Sequence, residues 1–72
     1  MKKRNEMEEL YTIKEVSKLL KCSINRVHDL RRSGLLKCLK VGNYKVTKAS
    51  LNEFLSKYDG KDVTNPYDIK EL

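Results

Sequence analysis

The stretch SINRVHDLRRSG (residues 23–34) decides the fold, because it combines a helix start signal, a helix stop signal and a face rich in long polar side chains. Ser23 is a favourable N-cap, and Gly34 is the residue type that most easily adopts the left-handed conformation after a helix. The sequence therefore predicts a helix from about residue 24 to residue 33. The question is whether its polar face contacts water, a protein or a nucleic acid.

This helix has an apolar side and a polar side. A rotation of about 100° per residue places Val27 at the centre of the buried face, and three residues lie within about 60° of it: Ile24, Leu30 and Arg31. We expect Arg31 to lay its methylene groups along the edge of the core and to keep its guanidinium in water. The polar side and its two flanks carry five residues: Asn25, Asp29 and Arg32, then Arg26 and His28 at the edges.

A first helix precedes this one. Thr12 and Glu15 have the spacing of a capping box, with Thr12 as the N-cap. The apolar residues that follow share one helical face: Ile13, Val16, Leu19 and Leu20. The sequence predicts a helix of about residues 13–20, with Ser17 at or near its buried side. Only Lys21 and Cys22 separate it from Ser23, so the two helices are predicted to form a helix-turn-helix.

Between Leu36 and Thr47 the periodicity changes from that of a helix to that of a strand. Gly42 and Asn43 tolerate the positive φ that a two-residue turn requires, so the segment predicts a β-hairpin around them. The expected opposed pairs are Val41 with Tyr44, Leu39 with Val46, and Lys40 with Lys45. Two directly opposed lysines repel each other mildly, which favours an anion beside the hairpin.

A third helix is predicted at about residues 48–57, starting at Thr47 or Ser50. Its apolar side is expected to contain Leu51, Phe54, Leu55 and Tyr58. Beyond it, Gly60, Pro66 and an excess of acidic residues predict a mostly extended tail. The predicted organisation is a flexible N-terminal lead-in at residues 1–9, a domain at residues 10–58 and an acidic, flexible tail at residues 59–72.

Positive charge is concentrated in the middle of the chain. Residues 10–58 hold eleven Lys and Arg against three Asp and Glu, a balance of +8, whereas the whole 72-residue chain has +6 and residues 59–72 have −2. Such a concentration is typical of a surface that binds a polyanion. A surface selected for solubility is the alternative explanation. A chain of this length forms one small domain.

Several other classes of protein are disfavoured. Cys22 and Cys38 with the single His28 supply three ligands at no recognised zinc spacing, so we expect two reduced thiols, no metal and no cofactor. The chain has no nucleophile–base pair and no phosphate-binding loop, which argues against an enzyme. No apolar run approaches the roughly 20 residues that span a bilayer, and no signal-peptide core follows the basic start, so a cytoplasmic location is expected.

The polar face of the second helix has the size and the chemistry to bind double-stranded DNA. A major groove admits one α-helix, Arg bonds guanine and Asn bonds adenine in bidentate geometry, and a helix N-terminus offers N–H groups to phosphate. The predicted DNA contacts of this helix are Ser23, Asn25, Arg26, His28, Asp29 and Arg32. The hairpin is predicted to add Lys40, Asn43 and Lys45, with weaker contacts from Lys37 and Lys48. The alternatives are an Arg32–Asp29 ion pair and a packed, half-buried His28.

Residues 10–57 also carry motifs of a known family. The matching positions are Tyr11, Thr12 and Glu15, then Ser23, Val27, Leu30 and Gly34, then Val41, Gly42, Tyr44, Lys45 and Val46, and finally Leu51, Phe54 and Leu55. Together they resemble the winged helix-turn-helix of the excisionase family, a relative of the MerR-type DNA-binding domain. The hairpin tip is one residue shorter than the family's common Gly-Arg-Arg-Tyr form and lacks its arginines.

The resemblance implies a small α+β fold, in which a helix-turn-helix is followed by a two-stranded wing and a C-terminal helix. It also implies an excisionase (recombination directionality factor) of a phage or mobile element. Such a protein binds and bends DNA beside an attachment site and favours excision by a tyrosine-type integrase, and adjacent copies that bind cooperatively raise the affinity. Two alternatives stay open: a small transcription regulator of the same fold, and a module whose basic face binds an acidic protein.

Overall fold

The computed structural model describes residues 9–72, and this part of the chain forms a small α+β fold with three helices and five short strands. Helices α1, α2 and α3 span Ile13–Leu20, Ile24–Arg32 and Lys48–Lys57. Strands β1 to β5 span Leu10–Thr12, Leu39–Val41, Asn43–Thr47, Lys61–Asp62 and Lys70–Glu71. The lead-in predicted at residues 1–9 lies outside the described residues, except for Glu9.

The first two helices begin where the sequence predicts. Thr12 Oγ1 accepts a hydrogen bond from the Glu15 N–H at 3.1 Å, and the Thr12 N–H donates to Glu15 Oε1 at 2.8 Å, which completes the capping box. Ser23 Oγ accepts from the Arg26 N–H at 3.1 Å. Gly34 follows α2 with a φ of +86°. These bonds satisfy N–H groups that a helix start otherwise leaves unpaired.

Backbone hydrogen bonds close the turn between α1 and α2. Lys21 adopts a left-handed φ of +56°, and its N–H donates to Lys18 O at 3.2 Å. The Cys22 N–H donates to Ser17 O at 2.9 Å. This Schellman pattern ends α1 and reverses the chain within a few residues. Ser17 is buried, as predicted, and its small side chain lets α2 approach α1 closely.

One hydrophobic core joins the three helices to the sheet. It consists of Ile13, Val16, Val27, Leu30, Leu36, Val46, Leu51 and Phe54. Each such side chain contributes about 1.5–3 kcal/mol when fully buried, so this cluster fixes α2 against α1 and the sheet. Three positions that the periodicity placed on apolar helix faces are exposed instead: Leu19 at 54%, Ile24 at 45% and Leu55 at 46%. A core this small has too few neighbouring elements to cover them.

The central sheet contains a strand that the sequence analysis missed. Strand β1 pairs antiparallel with β3, with Tyr11 opposite Val46 and Thr12 opposite Lys45, so the strand order is β1-β3-β2. Three residues are too few for an alternating pattern to be recognised in a sequence. The pairing brings the first residues of α1 beside the β2–β3 hairpin.

The predicted register of the β2–β3 hairpin is wrong by one residue. Lys40 lies opposite Tyr44, and Leu39 lies opposite Lys45, so the expected pairs Val41–Tyr44, Leu39–Val46 and Lys40–Lys45 do not form. A two-residue hairpin turn of the expected kind needs positive φ at both Gly42 and Asn43, and of the two only Gly42 has it, at +74°. The turn is therefore centred on Gly42, and Asn43 joins β3.

Within residues 59–72 the structure contains a short hairpin instead of the predicted mostly extended tail. Strands β4 and β5 form an antiparallel hairpin, with Lys61 opposite Glu71 and Asp62 opposite Lys70. Val63, just after β4, packs against the core. The sequence did not predict this hairpin, because its strands have two residues each and carry alternating charges rather than an apolar face. Within residues 9–72, no helix has the length and apolar composition needed to cross a membrane.

Candidate nucleic-acid interface

Helix α2 presents three surfaces to its surroundings, which follow from the rotation of about 100° per residue. Val27 and Leu30 are buried against the core. The exposed stripe consists of Asn25, Asp29 and Arg32. One flank carries His28 and the other carries Arg26, about 160° apart around the helix axis. The two flanks therefore face different neighbours.

The exposed stripe is polar and partly self-paired. Arg32 Nη1 lies 3.3 Å from Asp29 Oδ1, and the two side chains are 59% and 53% exposed. An exposed pair of this kind is worth about 0–1 kcal/mol, so either partner exchanges it at low cost for a stronger one. The Asn25 side chain makes no hydrogen bond to residues 9–72 and is exposed. Its amide is available as both a donor and an acceptor.

The His28 flank lies against the β2–β3 hairpin. Arg31 Nε donates to His28 Nδ1 at 3.2 Å, and the Arg31 guanidinium carbon lies 3.9 Å from the centroid of the Tyr44 ring. The His28 and Tyr44 rings meet edge to face at 6.3 Å. Arg31 thus packs between helix and hairpin, as the sequence predicted for its position at the core edge. His28 is half-buried, which was one of the two alternatives for it.

The charge state of His28 follows from these neighbours. Partial burial, and then the charges of Arg31 and Arg32, lower the pKa of His28 below its usual 6.5, while Asp29 acts in the opposite direction. A neutral imidazole whose Nδ1 accepts from Arg31 carries its proton on Nε2. His28 therefore offers one N–H donor at neutral pH. This donor is suited to a phosphate oxygen or to an acceptor on a base edge.

A hollow of about 290 Å³ lies where α1, α2 and the hairpin meet. Its lining is Thr12, Ile13, Lys14, His28, Asn43, Tyr44 and Lys45. Three predicted contact residues, His28, Asn43 and Lys45, are thus brought to one place. Lys14 joins them, although it is not among the contact residues predicted above. Its position in the first turn of α1 is a signal in the sequence, but only the pairing of β1 with β3 brings that turn beside the hairpin.

The remaining predicted lysines lie elsewhere. Lys40 shares a sheet face with Tyr44, and its Nζ lies 5.1 Å from the centroid of that ring, whereas Lys45 is on the other face by alternation. Lys37 lines a separate hollow, which runs along one side of α3 and also contains Lys57. Lys48 opens α3, and its backbone N–H donates to Glu9 O at 3.0 Å. The cation that joins α2 to the β2–β3 hairpin is Arg31, which was not predicted as a DNA contact.

The Arg26 flank faces the C-terminal hairpin. Arg26 Nη1 donates to the carbonyl oxygen of Thr64 at 2.6 Å. Arg26 is therefore bonded to a residue that is distant in the sequence, and the Ser23 side chain is used in the N-cap of α2. The predicted contacts of α2 thus lie on the exposed stripe, on a flank shared with the β2–β3 hairpin and on a flank shared with the C-terminal hairpin.

The two cysteines and the metal-ligand types do not form a site in this part of the chain. Cys22 and Cys38 are free, half-buried thiols, and burial raises the pKa of each, so both are protonated at neutral pH. Among the described residues, no group of three or more His, Cys, Asp or Glu side chains could hold a metal ion. The chemistry of this surface is that of hydrogen bonding and positive charge.

The comparisons with known proteins agree with this geometry. A family model described as a helix-turn-helix domain matches residues 10–59, which includes α1, α2, the β2–β3 hairpin and α3. No curated protein and no solved structure matches the chain. Domains of this type are typically non-enzymatic and bind DNA sequence-specifically. With most of its length matched, the chain belongs to the helix-turn-helix domain family.

Proposed function

We propose that α2 enters the major groove of double-stranded DNA and that the β2–β3 hairpin acts as a wing on the adjacent backbone. The observation that carries this proposal is the shared hollow, in which His28 of α2 meets Asn43 and Lys45 of the hairpin and Lys14 of α1. Because α2 and the β2–β3 hairpin line the same basic hollow, both would present their charges to the same stretch of duplex. The exposed stripe of α2 then faces the base edges.

The roles of individual residues follow from their chemistry. In this docking Asn25 would bond adenine in bidentate geometry, and Arg32 would bond guanine after it leaves Asp29. Lys14 and Lys45, with the Nε2–H of His28, would contact phosphate oxygens, which position the protein without reading sequence. Lys40, Lys37 and Lys48 would add weaker backbone contacts. The +8 balance of residues 10–58 supplies the long-range attraction.

The proposed biological role is that of an excisionase of a phage or mobile element. Its support is the resemblance of residues 10–57 to the excisionase type of winged helix-turn-helix. In that role the protein bends DNA beside an attachment site and biases a tyrosine-type integrase toward excision. A single helix and wing read a short site weakly, so copies on adjacent sites are proposed to bind cooperatively. The alternative role is a small transcription regulator with the same DNA-contacting surface.

Salt dependence tests the DNA proposal directly. With roughly four to six phosphate contacts, log K for a duplex should fall with log salt at a slope of about −4 to −5. Lys14→Ala and Lys45→Ala should each make that slope about 0.9 less steep. Lys18→Ala is the matched control, because it removes the same charge from the exposed last turn of α1, away from the hollow. Equal effects of all three variants would contradict the proposed docking.

Base reading and biological role need separate assays. Asn25→Ala should relax the preference at one base pair and cost about 1–3 kcal/mol on the preferred site. An in vitro excision assay with the cognate integrase distinguishes the two roles. Stimulation of excision supports the excisionase, whereas promoter repression without stimulation supports the regulator. Salt-dependent binding to an acidic protein with no affinity for duplex DNA would instead favour the protein-interaction alternative.

A further inference from the structure

Within residues 9–72, Arg26 makes the one side-chain hydrogen bond that joins α2 to the C-terminal hairpin. Its Nη1 donates to Thr64 O at 2.6 Å across a separation of 38 residues. Arg26 lies in the first turn of α2, and N-terminal residues of a recognition helix are those that reach base edges. The guanidinium best placed to read DNA on this flank is therefore already occupied by the protein's own backbone.

The Thr64 carbonyl is held in place by a small turn. The Asp62 carboxylate accepts hydrogen bonds from the Thr64 N–H at 2.9 Å and from Thr64 Oγ1 at 2.6 Å. These bonds lower the pKa of Asp62, with smaller contributions from Lys70 and Arg26. Asp62 thus orients the acceptor that Arg26 uses, and it also places a negative charge near that guanidinium.

The C-terminal hairpin is anchored lightly. Its strands have two residues each, and Lys61 and Glu71 form an exposed ion pair across them. Val63 packs against the core, but a hollow of about 430 Å³ remains between the hairpin and the helices. The hairpin therefore separates from the domain at a lower cost than a core element would.

We propose that residues 61–72, which we name the strap, form an autoinhibitory element that holds Arg26 away from DNA. This inference rests on the proposed function. In the strapped state Arg26 is bonded to Thr64, and the charge of Asp62 lies near the Arg26 guanidinium, where it opposes a phosphate backbone. In the released state Arg26 is free to bond a base or a phosphate. The observed association constant then equals that of the released state multiplied by the fraction of molecules in the released state.

The test uses three full-length variants and a labelled duplex in a fluorescence anisotropy titration. Asp62→Ala removes the carboxylate that orients Thr64. Val63→Ser weakens the packing of the strap against the core without a change in charge. Both should bind about three- to tenfold more tightly than the unmodified protein, the gain expected if the strapped state is the main population. Asp59→Ala is the matched control, because it removes one exposed acid outside the strap, and it should change affinity by less than about twofold.

Arg26→Ala decides whether the gain passes through Arg26. In an Arg26→Ala background, Val63→Ser should no longer increase affinity, and Asp62→Ala should gain no more than Asp59→Ala does. Circular dichroism that matches the unmodified protein shows that each variant keeps its helices. The inference is overturned if Asp62→Ala gains no more than Asp59→Ala, or if Val63→Ser gains nothing. Weaker binding by both strap variants would show that the strap positions Arg26 for DNA, the opposite role.

Failure of this inference is distinct from failure of the proposed function. If the unmodified protein and all variants bind the duplex with equal affinity and a normal salt slope, the strap has no role but the DNA interface stands. If neither the unmodified protein nor a released variant binds duplex DNA at low salt, the proposed function itself is wrong. A released variant that binds when the unmodified protein does not would support both.

Discussion

Replacing Arg31 tests whether the recognition helix and the hairpin are held together by the contact that the structure places between them. Arg31→Ala removes the guanidinium that lies 3.9 Å from the Tyr44 ring centroid and the bond from Nε to His28 at 3.2 Å. A cation–π contact at a half-buried site is worth about 1 kcal/mol. The hydrogen bond adds about 0.5–1 kcal/mol. We therefore expect a loss of about 1.5–2 kcal/mol in the free energy of unfolding.

Arg32→Ala is the matched control for this change. It removes the same charge from the next residue of α2, where the side chain is 59% exposed and pairs only with Asp29. We expect a loss of at most about 0.5 kcal/mol. For a domain of this size, each kcal/mol shifts the melting temperature by about 4–8 °C, so a difference of about 1–2 kcal/mol should separate the two variants by roughly 4–16 °C. Urea titration and thermal melts followed by circular dichroism measure both.

A second measurement reports on the same contact without unfolding the protein. The charge of Arg31 helps to lower the pKa of His28, after the larger effect of burial. The His28 pKa, followed by NMR, should therefore rise in Arg31→Ala. Equal stability of Arg31→Ala and Arg32→Ala, together with an unchanged His28 pKa in Arg31→Ala, would refute the reasoning that Arg31 connects helix and hairpin.

Three further predictions follow from local features of the structure. Lys21→Gly should stabilise the fold by about 0.5–1 kcal/mol in urea titration, because glycine adopts the left-handed φ of +56° without strain; a loss of stability would contradict this reading of the turn. Val46→Ala should destabilise by about 2 kcal/mol, since Val46 is fully buried at the centre of the core, and a loss below about 0.5 kcal/mol would show that the site collapses around the gap. Because the folded-state pKa of His28 lies below 6.5, the contribution of neutral His28 to the stability of the fold is complete above pH 6.5 and is lost as the pH falls through the folded-state pKa. Thermal melts from pH 7.5 to 5.5 should show this loss of stability, and His28→Gln should abolish the pH dependence.

Local signals in the sequence located the helices and the polar residues that are exposed on them. The capping box of Thr12 and Glu15, the N-cap Ser23 and the left-handed Gly34 act within one turn of their own position, so spacing alone predicted α1 and α2 nearly to the residue. The exposed stripe of α2 followed from helical geometry in the same way. Ile24 was wrongly expected to be buried, because periodicity indicates to which side of a helix a residue points and not whether another element covers that side.

Features that depend on distant pairing were beyond the sequence. The hairpin register shifted by one residue, which moves every side chain on a strand to the other face. The expected apolar face of the hairpin does not form, because Leu39 and Val41 lie opposite Lys45 and Asn43 and are exposed. Strand β1 was missed because it exists only through its pairing with β3. That pairing brought Lys14 to the hollow that it shares with His28 and Lys45.

The sequence by itself therefore determined the capped helix pair, the basic middle segment and the polar stripe, since these arise from residues close together in the chain. Only the tertiary structure decided that Arg31 packs on Tyr44, that Lys14 joins the hairpin, and that Arg26 bonds to Thr64. Each of these contacts joins residues 13 or more apart. Such contacts form only when the core has fixed the elements in position, and no local preference specifies them.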